Sequence, residues 1–245
     1  MTASDGDGKG VTAPATYPAT YPATYKDLCI DAVDPLRLGS FWAAVLGRRL
    51  NRREDGMVVL TGPTPRHTVW LAPVPEPVTV KQRVHLDVHV ARVEDVLAAG
   101  ATPEDVESFR WKVLRDPEGG ELCAFERAEV PAERLYEIGV DSVDHVGQAR
   151  WWAAVLGGRV DVDEEHGWAA VDDVPGAPFD CFVFAAVPEP KTVKNRVHWD
   201  VDATGPGTVE ELERRGARVL RGPDDEIAWT VMADPEGNEF CVFAS

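Results

Sequence analysis

The chain has 245 residues, 44% of them hydrophobic, with a formal net charge of −17 and an isoelectric point near 4.7. So acidic a chain lacks the basic surface that replaces counterions on nucleic acid or an anionic membrane, and neither is expected as a partner. No run of about 18 apolar residues suggests a membrane span and no signal-peptide pattern opens the chain, so a cytoplasmic location is expected.

Taken in chain order, the first segment differs in kind from the rest. Residues 1–24 hold Gly, Asp and Thr and run into PATYPATYPATY, from Pro14 to Tyr25. Without an apolar face such a segment cannot offset its ordering entropy, and a flexible tail is expected. Leu28 to Val33 reads as a strand, and Asp34 with Pro35 reads as a helix start. Leu38, Phe41, Trp42, Val45 and Leu46 fall at helical spacing, and Gly47 is placed to end the helix in a left-handed conformation. Short strands follow at Leu50 to Arg53, Met57 to Leu60 and Thr68 to Ala72. Val84 to Val90 alternates, with Val84, Leu86, Val88 and Val90 on one face and His85, Asp87 and His89 on the other. A short helix from Val93 to Ala99 ends at Gly100, and Trp111 to Leu114 and Glu121 to Phe125 close the series as strands.

The same order then recurs. WAAVLGRRL from Trp42 returns as WAAVLGGRV from Trp152, VPEPVTVKQRVHLDV from Val74 as VPEPKTVKNRVHWDV from Val187, and DPEGGELCAF from Asp116 as DPEGNEFCVF from Asp234. Matched positions lie 110, 113 and 118 residues apart, so the copies differ by short loop insertions. The partition is a tail at 1–24, a first domain at 25–127, a linker at 128–134 and a second domain at 135–245. Each domain has roughly 100 to 110 residues, enough for one core. Four cysteines, none in a CxxC pair, are too few for a disulfide framework or a structural zinc site of that type. The DPEG segments, with Gly two residues after Pro, are tight turns.

The element order, the FWAAVLG helix ending, the KxRVHxDV strand and the DPEGNEFC ending resemble the glyoxalase and bleomycin-resistance type domains of the vicinal oxygen chelate superfamily. The resemblance covers about nine tenths of the chain, from Tyr25 onward. It implies an α+β fold of two tandem glyoxalase-like domains, each of two βαβββ units forming a curved mixed sheet with a concave small-molecule pocket. It names no reaction, because that superfamily holds isomerases, dioxygenases, thiol transferases and proteins that only bind a drug. Single-domain relatives often pair as dimers, and a tandem chain can make that pairing internally, so a monomer or a homodimer is expected.

The resemblance also implies where a metal would sit. Metal-dependent relatives carry His, Gln or Glu on the first and last strands of the units. Here Asp27 and Glu137 occupy the opening-strand positions where His is common, His85 and His198 occupy the next, and Cys123 and Cys241 stand where the family pattern has Glu. Glu121 and Glu239 share the face of those cysteines and are the alternatives. Thiolate, imidazole and carboxylate together suit zinc, with iron, nickel and manganese the other divalent options; no cofactor at all is the competing expectation. From the residues alone, His85 with Asp87 and His198 with Asp200 form repeated imidazole–carboxylate pairs fit for acid–base catalysis, or else for a structural hydrogen bond. Asp31 and Asp141 either join those clusters or serve turns.

Lys81, Arg83, Lys194 and Arg196 place two cations before each His strand, suited to a ligand carboxylate or phosphate, or to ion pairs with Glu76 and Glu189. Trp42 and Trp152 are expected in the core. Among Trp70, Trp111, Trp168, Trp199 and Trp229 some can line an aromatic pocket, with Trp199, next to His198, the chosen ligand contact. Two functions remain: a small-molecule binder with a hydrophobic or aromatic ligand in one or both cups, or a metal-dependent lyase, isomerase or dioxygenase.

Overall fold

A computed structural model describes residues 21–244. Most of the expected tail therefore lies outside the described residues. Four βαβββ units follow one another. The first is β1 (Ala23–Ala32), α1 (Pro35–Leu46), β2 (Arg49–Arg52), β3 (Val58–Thr61) and β4 (Val69–Pro73). The second is β5 (Val84–Val90), α2 (Val93–Ala98), β6 (Thr102–Asp105), β7 (Lys112–Arg115) and β8 (Glu121–Glu126). The third is β9 (Leu135–Ser142), α3 (His145–Leu156), β10 (Arg159–Asp163), β11 (Trp168–Asp172) and β12 (Cys181–Ala186). The fourth is β13 (Val197–Ala203), α4 (Thr208–Arg214), β14 (Arg218–Arg221), β15 (Thr230–Ala233) and β16 (Glu239–Phe243).

The units pair across the repeats. Strand order β14-β15-β16-β13-β1-β4-β3-β2 makes the first sheet from units one and four, and β10-β11-β12-β9-β5-β8-β7-β6 makes the second from units two and three. Each sheet is closed at its centre by an antiparallel pair, β1 with β13 and β5 with β9. Each is thus an eight-stranded mixed sheet of two βαβββ units, as expected, but its units come from different repeats. The repeat alone could not assign the partners, because the opening strands of the two copies are equivalent.

Local chemistry fixes the elements. In α1, Asp34 caps the first turn by accepting from Arg37 N at 3.0 Å, Pro35 fills the first helical position, and Gly47 ends the helix at φ 66°. Asp144 caps α3 in the same way through Gly147 N at 2.9 Å. Strand β1 starts at Ala23, two residues ahead of the expected domain boundary, because Ala23 and Tyr25 are already buried. Strand β6 has no apolar signature; TPED is a polar strand at the sheet edge, where a Pro costs no interior ladder bond.

One apolar core joins both sheets. Trp152 on α3 stacks with Phe182 of the second sheet and meets Trp199 and Phe240 of the first, at centroid separations of 6.5, 4.7 and 5.1 Å. Trp199 is fully buried in this core. It therefore does not contact a ligand in the cup: strand alternation that turns His198 to the polar face turns Trp199 to the helices. The DPEG turns carry a function the sequence does not announce. Asp116 Oδ1 accepts from Glu118 N and Gly120 N, and Glu118 reaches back to accept from Val33 N and Asp34 N at the start of α1. Asp234 and Glu236 repeat this at α3, through Val143 N and Asp144 N.

Candidate functional site

The polar, concave face of each sheet is a cup, and strand register decides what meets on its floor. In the first cup Asp27 on β1 lies beside Asp200 on β13, which lies beside Cys241 on β16. In the second, Glu137 on β9 lies beside Asp87 on β5, which lies beside Cys123 on β8. One row away are His198, next to Cys29, and His85, next to Gly139. A one-residue bulge interrupts both central pairs at the same place, at Lys26 in β1 and at Tyr136 in β9.

Two compact donor clusters result. The ligand atoms of His85, Asp87 and Cys123 all lie within 4.8 Å of one another, as do those of His198, Asp200 and Cys241. His85 Nε2 is 3.3 Å from Asp87 Oδ1, and His198 Nε2 is 3.6 Å from Asp200 Oδ1 and 3.8 Å from Cys241 Sγ. None of these approaches satisfies the carboxylates. Asp87 Oδ1, Asp200 Oδ1, Asp27 Oδ1 and the Nδ1 atoms of His85 and His198 are buried without a hydrogen-bond partner among the described residues. Buried polar atoms are ordinarily paired, and each one left unpaired costs on the order of 1–3 kcal/mol.

Burial dominates the electrostatics. It pushes both imidazoles down to about 4 and raises the carboxyls of Asp87 and Asp200 well above the usual range, with Glu137 and Asp27, respectively, adding negative charge beside them. The Cys123 and Cys241 thiols are pushed far up by burial and by those same aspartates. Such thiols are poor nucleophiles, and imidazoles titrating near 4 are weak bases at neutral pH. The acid–base role expected for the His–Asp pairs therefore suits the geometry less well than ligation does. Neutral imidazole, carboxylate and thiolate form an N, O, S donor set that fits a divalent ion of borderline softness, and a cation there would draw the protons off the thiol and carboxyl. His, Asp and Cys thus fit the metal the superfamily resemblance implies.

The cups differ at their mouths. A cavity of about 720 Å³ opens onto Asp27 and Trp70 in the first, bordered by Lys26, Arg66, Pro178 and Asp202. Trp70 Nε1 donates to Asp27 Oδ2 at 3.0 Å, Lys26 Nζ donates to the same oxygen at 2.7 Å, and the Lys26 ammonium sits 4.1 Å above the Phe243 ring. At the second mouth Phe109, Trp111 and Phe125 stack at 4.9 and 5.5 Å, Tyr136 meets Phe125 edge-on at 5.0 Å, and His89 lies 4.3 Å from Tyr136; in the first cup the matching Trp229 and Phe243 stack at 5.2 Å.

The family model for the glyoxalase-like domain matches residues 27–125 and again 137–243. The chain belongs to the glyoxalase-like domain family. No curated protein sequence matches this family member. Among solved structures, glyoxalase I from Zea mays is similar over 90% of this chain and 92% of its own, at 15% identity and a TM-score of 0.63. A dioxygenase candidate from Bacillus subtilis matches over 92% and 86%, at 14% identity and a TM-score of 0.65. The cppA protein from Streptococcus pneumoniae matches over 91% and 100%, at 11% identity and a TM-score of 0.50. At these identities the likeness is one of fold.

Within this glyoxalase-like frame the expected residues are redistributed. Crossed pairing sends Asp27 to the cup of His198 and Cys241, and Glu137 to that of His85 and Cys123, so the carboxylates of the two repeats are exchanged. Asp87 and Asp200, expected as catalytic partners, sit inside the ligand clusters. The alternative ligands Glu239 and Glu121 lie outside both clusters: Lys191 Nζ holds Glu239 at 2.7 Å and Asn195 N at 3.0 Å, and Glu121 lies 3.8 Å from Lys81. The lysines do not pair with Glu76 and Glu189. Lys81 binds Asp141 and Lys194 binds Asp31, which gives those two aspartates their place, while Arg83 and Arg196 donate to the carbonyls of Glu189 and Glu76. Cys29 and Cys181 were not expected here; both lie on the cup floors, Cys181 Sγ 3.6 Å from Glu137 Oε2. Their strand parity with Asp27 and Asp31, and across from Glu137, was the available signal.

Proposed function

We propose that the protein is a metal-dependent member of its family that acts on a small oxygen-bearing molecule, hydrophobic or aromatic in body, in the first cup. The carrying observation is that both repeats place the same buried His–Asp–Cys cluster, with unpartnered imidazole nitrogen and carboxylate oxygen, on the cup floor. His198, Asp200 and Cys241 would hold the ion in the first cup, with Asp27 beside them, and His85, Asp87 and Cys123 in the second. When bound, a divalent ion there supplies Lewis acidity toward a ligand oxygen. The remaining work falls to the chain itself. Trp70 offers an aromatic wall and fixes the Asp27 carboxylate, while Lys26 and Arg66 at the mouth favour a ligand that carries negative charge near its reacting end.

A second reading, ligand binding without turnover, draws on the raised carboxyl and thiol values, since a proton-holding cluster can persist as a neutral floor. Metal content by elemental analysis of untagged protein, with the visible spectrum after cobalt substitution, separates the two. About two equivalents of metal and a thiolate-to-cobalt band, both lost in the His85→Ala, His198→Ala double variant, support the metal-dependent reading. Parent protein that takes up neither zinc nor cobalt on reconstitution overturns it and leaves the binder.

A further inference from the structure

The segments most alike between the repeats are only partly absorbed by the cups. VPEPVTVKQR from Val74 and VPEPKTVKNR from Val187 end just before the His strands and form the loops that carry the chain from one sheet to the other. The loops are tied together reciprocally: Arg83 Nη1 donates to the Glu189 carbonyl at 2.7 Å and Arg196 Nη1 to that of Glu76 at 2.5 Å. Between them lies a cavity of about 530 Å³ that holds Val80, Lys81 and Arg83 from one repeat and the matching Val193, Lys194 and Arg196 from the other.

Its wall combines two chemistries. Val80 and Val193 are exposed apolar side chains, each 46% accessible. Lys81 touches Asp141 and has Glu121 at 3.8 Å, and Lys194 touches Asp31, yet their side chains stay 55% and 58% accessible, so their ammonium groups retain free donors. Arg196 has Glu118 at 3.3 Å. Among the described residues Arg83 has no carboxylate within 4.0 Å, and its Nε and Nη2 atoms are buried without a hydrogen-bond partner. Asp31 and Glu76 also line the cavity, and Lys194 already neutralises Asp31. The cavity wall thus sets four cations, Lys81, Arg83, Lys194 and Arg196, against two carboxylates, Asp31 and Glu76, in an otherwise acidic molecule.

We infer that this central cavity is a second ligand site, distinct from the cups, which takes one small organic carboxylate per chain. The carboxylate lies against Arg83 and the two lysines, and the apolar body rests on Val80 and Val193. Guanidinium is the side chain best matched to a carboxylate, and an apolar body on two exposed valines removes them from water. A site built around a pseudo-twofold axis binds one molecule per chain, whereas sites in the cups bind two or are confined to one sheet.

Titration of the full chain by isothermal calorimetry tests this, with phenylacetate as the probe, phenethylamine as a cation of the same body and inorganic phosphate as an anion without one. Phenylacetate is expected to saturate at one equivalent, with weaker binding of both controls. Arg83→Gln should weaken it at least about tenfold, the loss of one charge-assisted hydrogen bond. The Val80→Asp, Val193→Asp variant changes only exposed positions and should do the same without disturbing the fold, read by circular dichroism. Binding should survive in the His85→Ala, His198→Ala variant, which separates this site from the cups. Absence of saturable binding up to roughly 10 mM, a few kcal/mol of affinity at most, overturns the inference. So does equal binding of phenethylamine or phosphate, a stoichiometry of two, or loss of binding in the His variant with retention in Arg83→Gln.

Discussion

The two cups have the same floor and different surroundings. Each has a His–Asp–Cys cluster with a second carboxylate across the central strand pair. Around the floor, the first cup has Cys29 beside its His and a cavity at its mouth, whereas the second has Gly139 beside its His and extends the Trp–Phe stack common to both cups with Phe109 and Tyr136. The Gly is a steric accommodation, since a Cβ at Gly139 would meet His85 Nε2 at 2.3 Å, so the imidazole of the second cup lies over the backbone of β9. In the proposed function the retained floors are the ion sites and the diverged mouth of the first cup is where the ligand enters.

The largest effect that bears on this comparison comes from the shared core beneath it. Trp152→Ala is expected to cost about 5 kcal/mol and Trp42→Ala about 3, the two ends of the range for a buried Trp, because Trp152 bridges both sheets and also donates to Asp234 at 3.2 Å. Urea unfolding measures both, and equal losses would break the claim that α3 is the bridge. Next, Asp200→Asn and Asp87→Asn should each lower cobalt affinity of their own cup by at least about 100-fold, and only Asp200→Asn should alter ligand binding. Loss of ligand binding through Asp87→Asn would reverse the assignment of the open cup. Gly139→Ala should displace the His85 ring and cost about 1–3 kcal/mol by overpacking, with a weakened cobalt band from the second cup, while Cys29→Ala leaves the first cup's band in place. Smallest is the contrast between the turn glutamates: Glu118→Gln should cost about 1–3 kcal/mol and Glu236→Gln about 1, since only Glu118 has an added cation, Arg196. Thermal unfolding with matched enthalpies resolves the difference.

Much of this was legible in the sequence because duplication writes the same signals twice. Period-two alternation gave β5 and β13 with their polar faces, and Asp-Pro before a helical apolar stripe gave α1. What the sequence could not carry was anything that depends on which strand lies beside which. Asp27 was read with its own repeat and belongs to the other's cup; Trp199 was read as a ligand contact from its place next to His198, although the same alternation that exposes one residue buries its neighbour. Lys81 and Lys194 were matched to nearby glutamates, whereas their partners lie 60 and 163 residues away. β6 escaped notice because a polar edge strand has no apolar pattern to read.

The exchange of units between sheets also bears on how the chain is made. Strand β1 must wait for β13, and β5 for β9, before either sheet has a centre. At ordinary rates of synthesis, about 5–20 residues per second, the delay between completing β1 and completing β13 is on the order of ten seconds or more. Throughout that interval β1 presents an open flank of main-chain donors and acceptors, the kind of surface that recruits another copy. Nascent chains on one message are therefore each other's most available wrong partner. A first repeat expressed by itself is expected to accumulate as a swapped dimer, in which β1 and β5 find their mates on a second molecule.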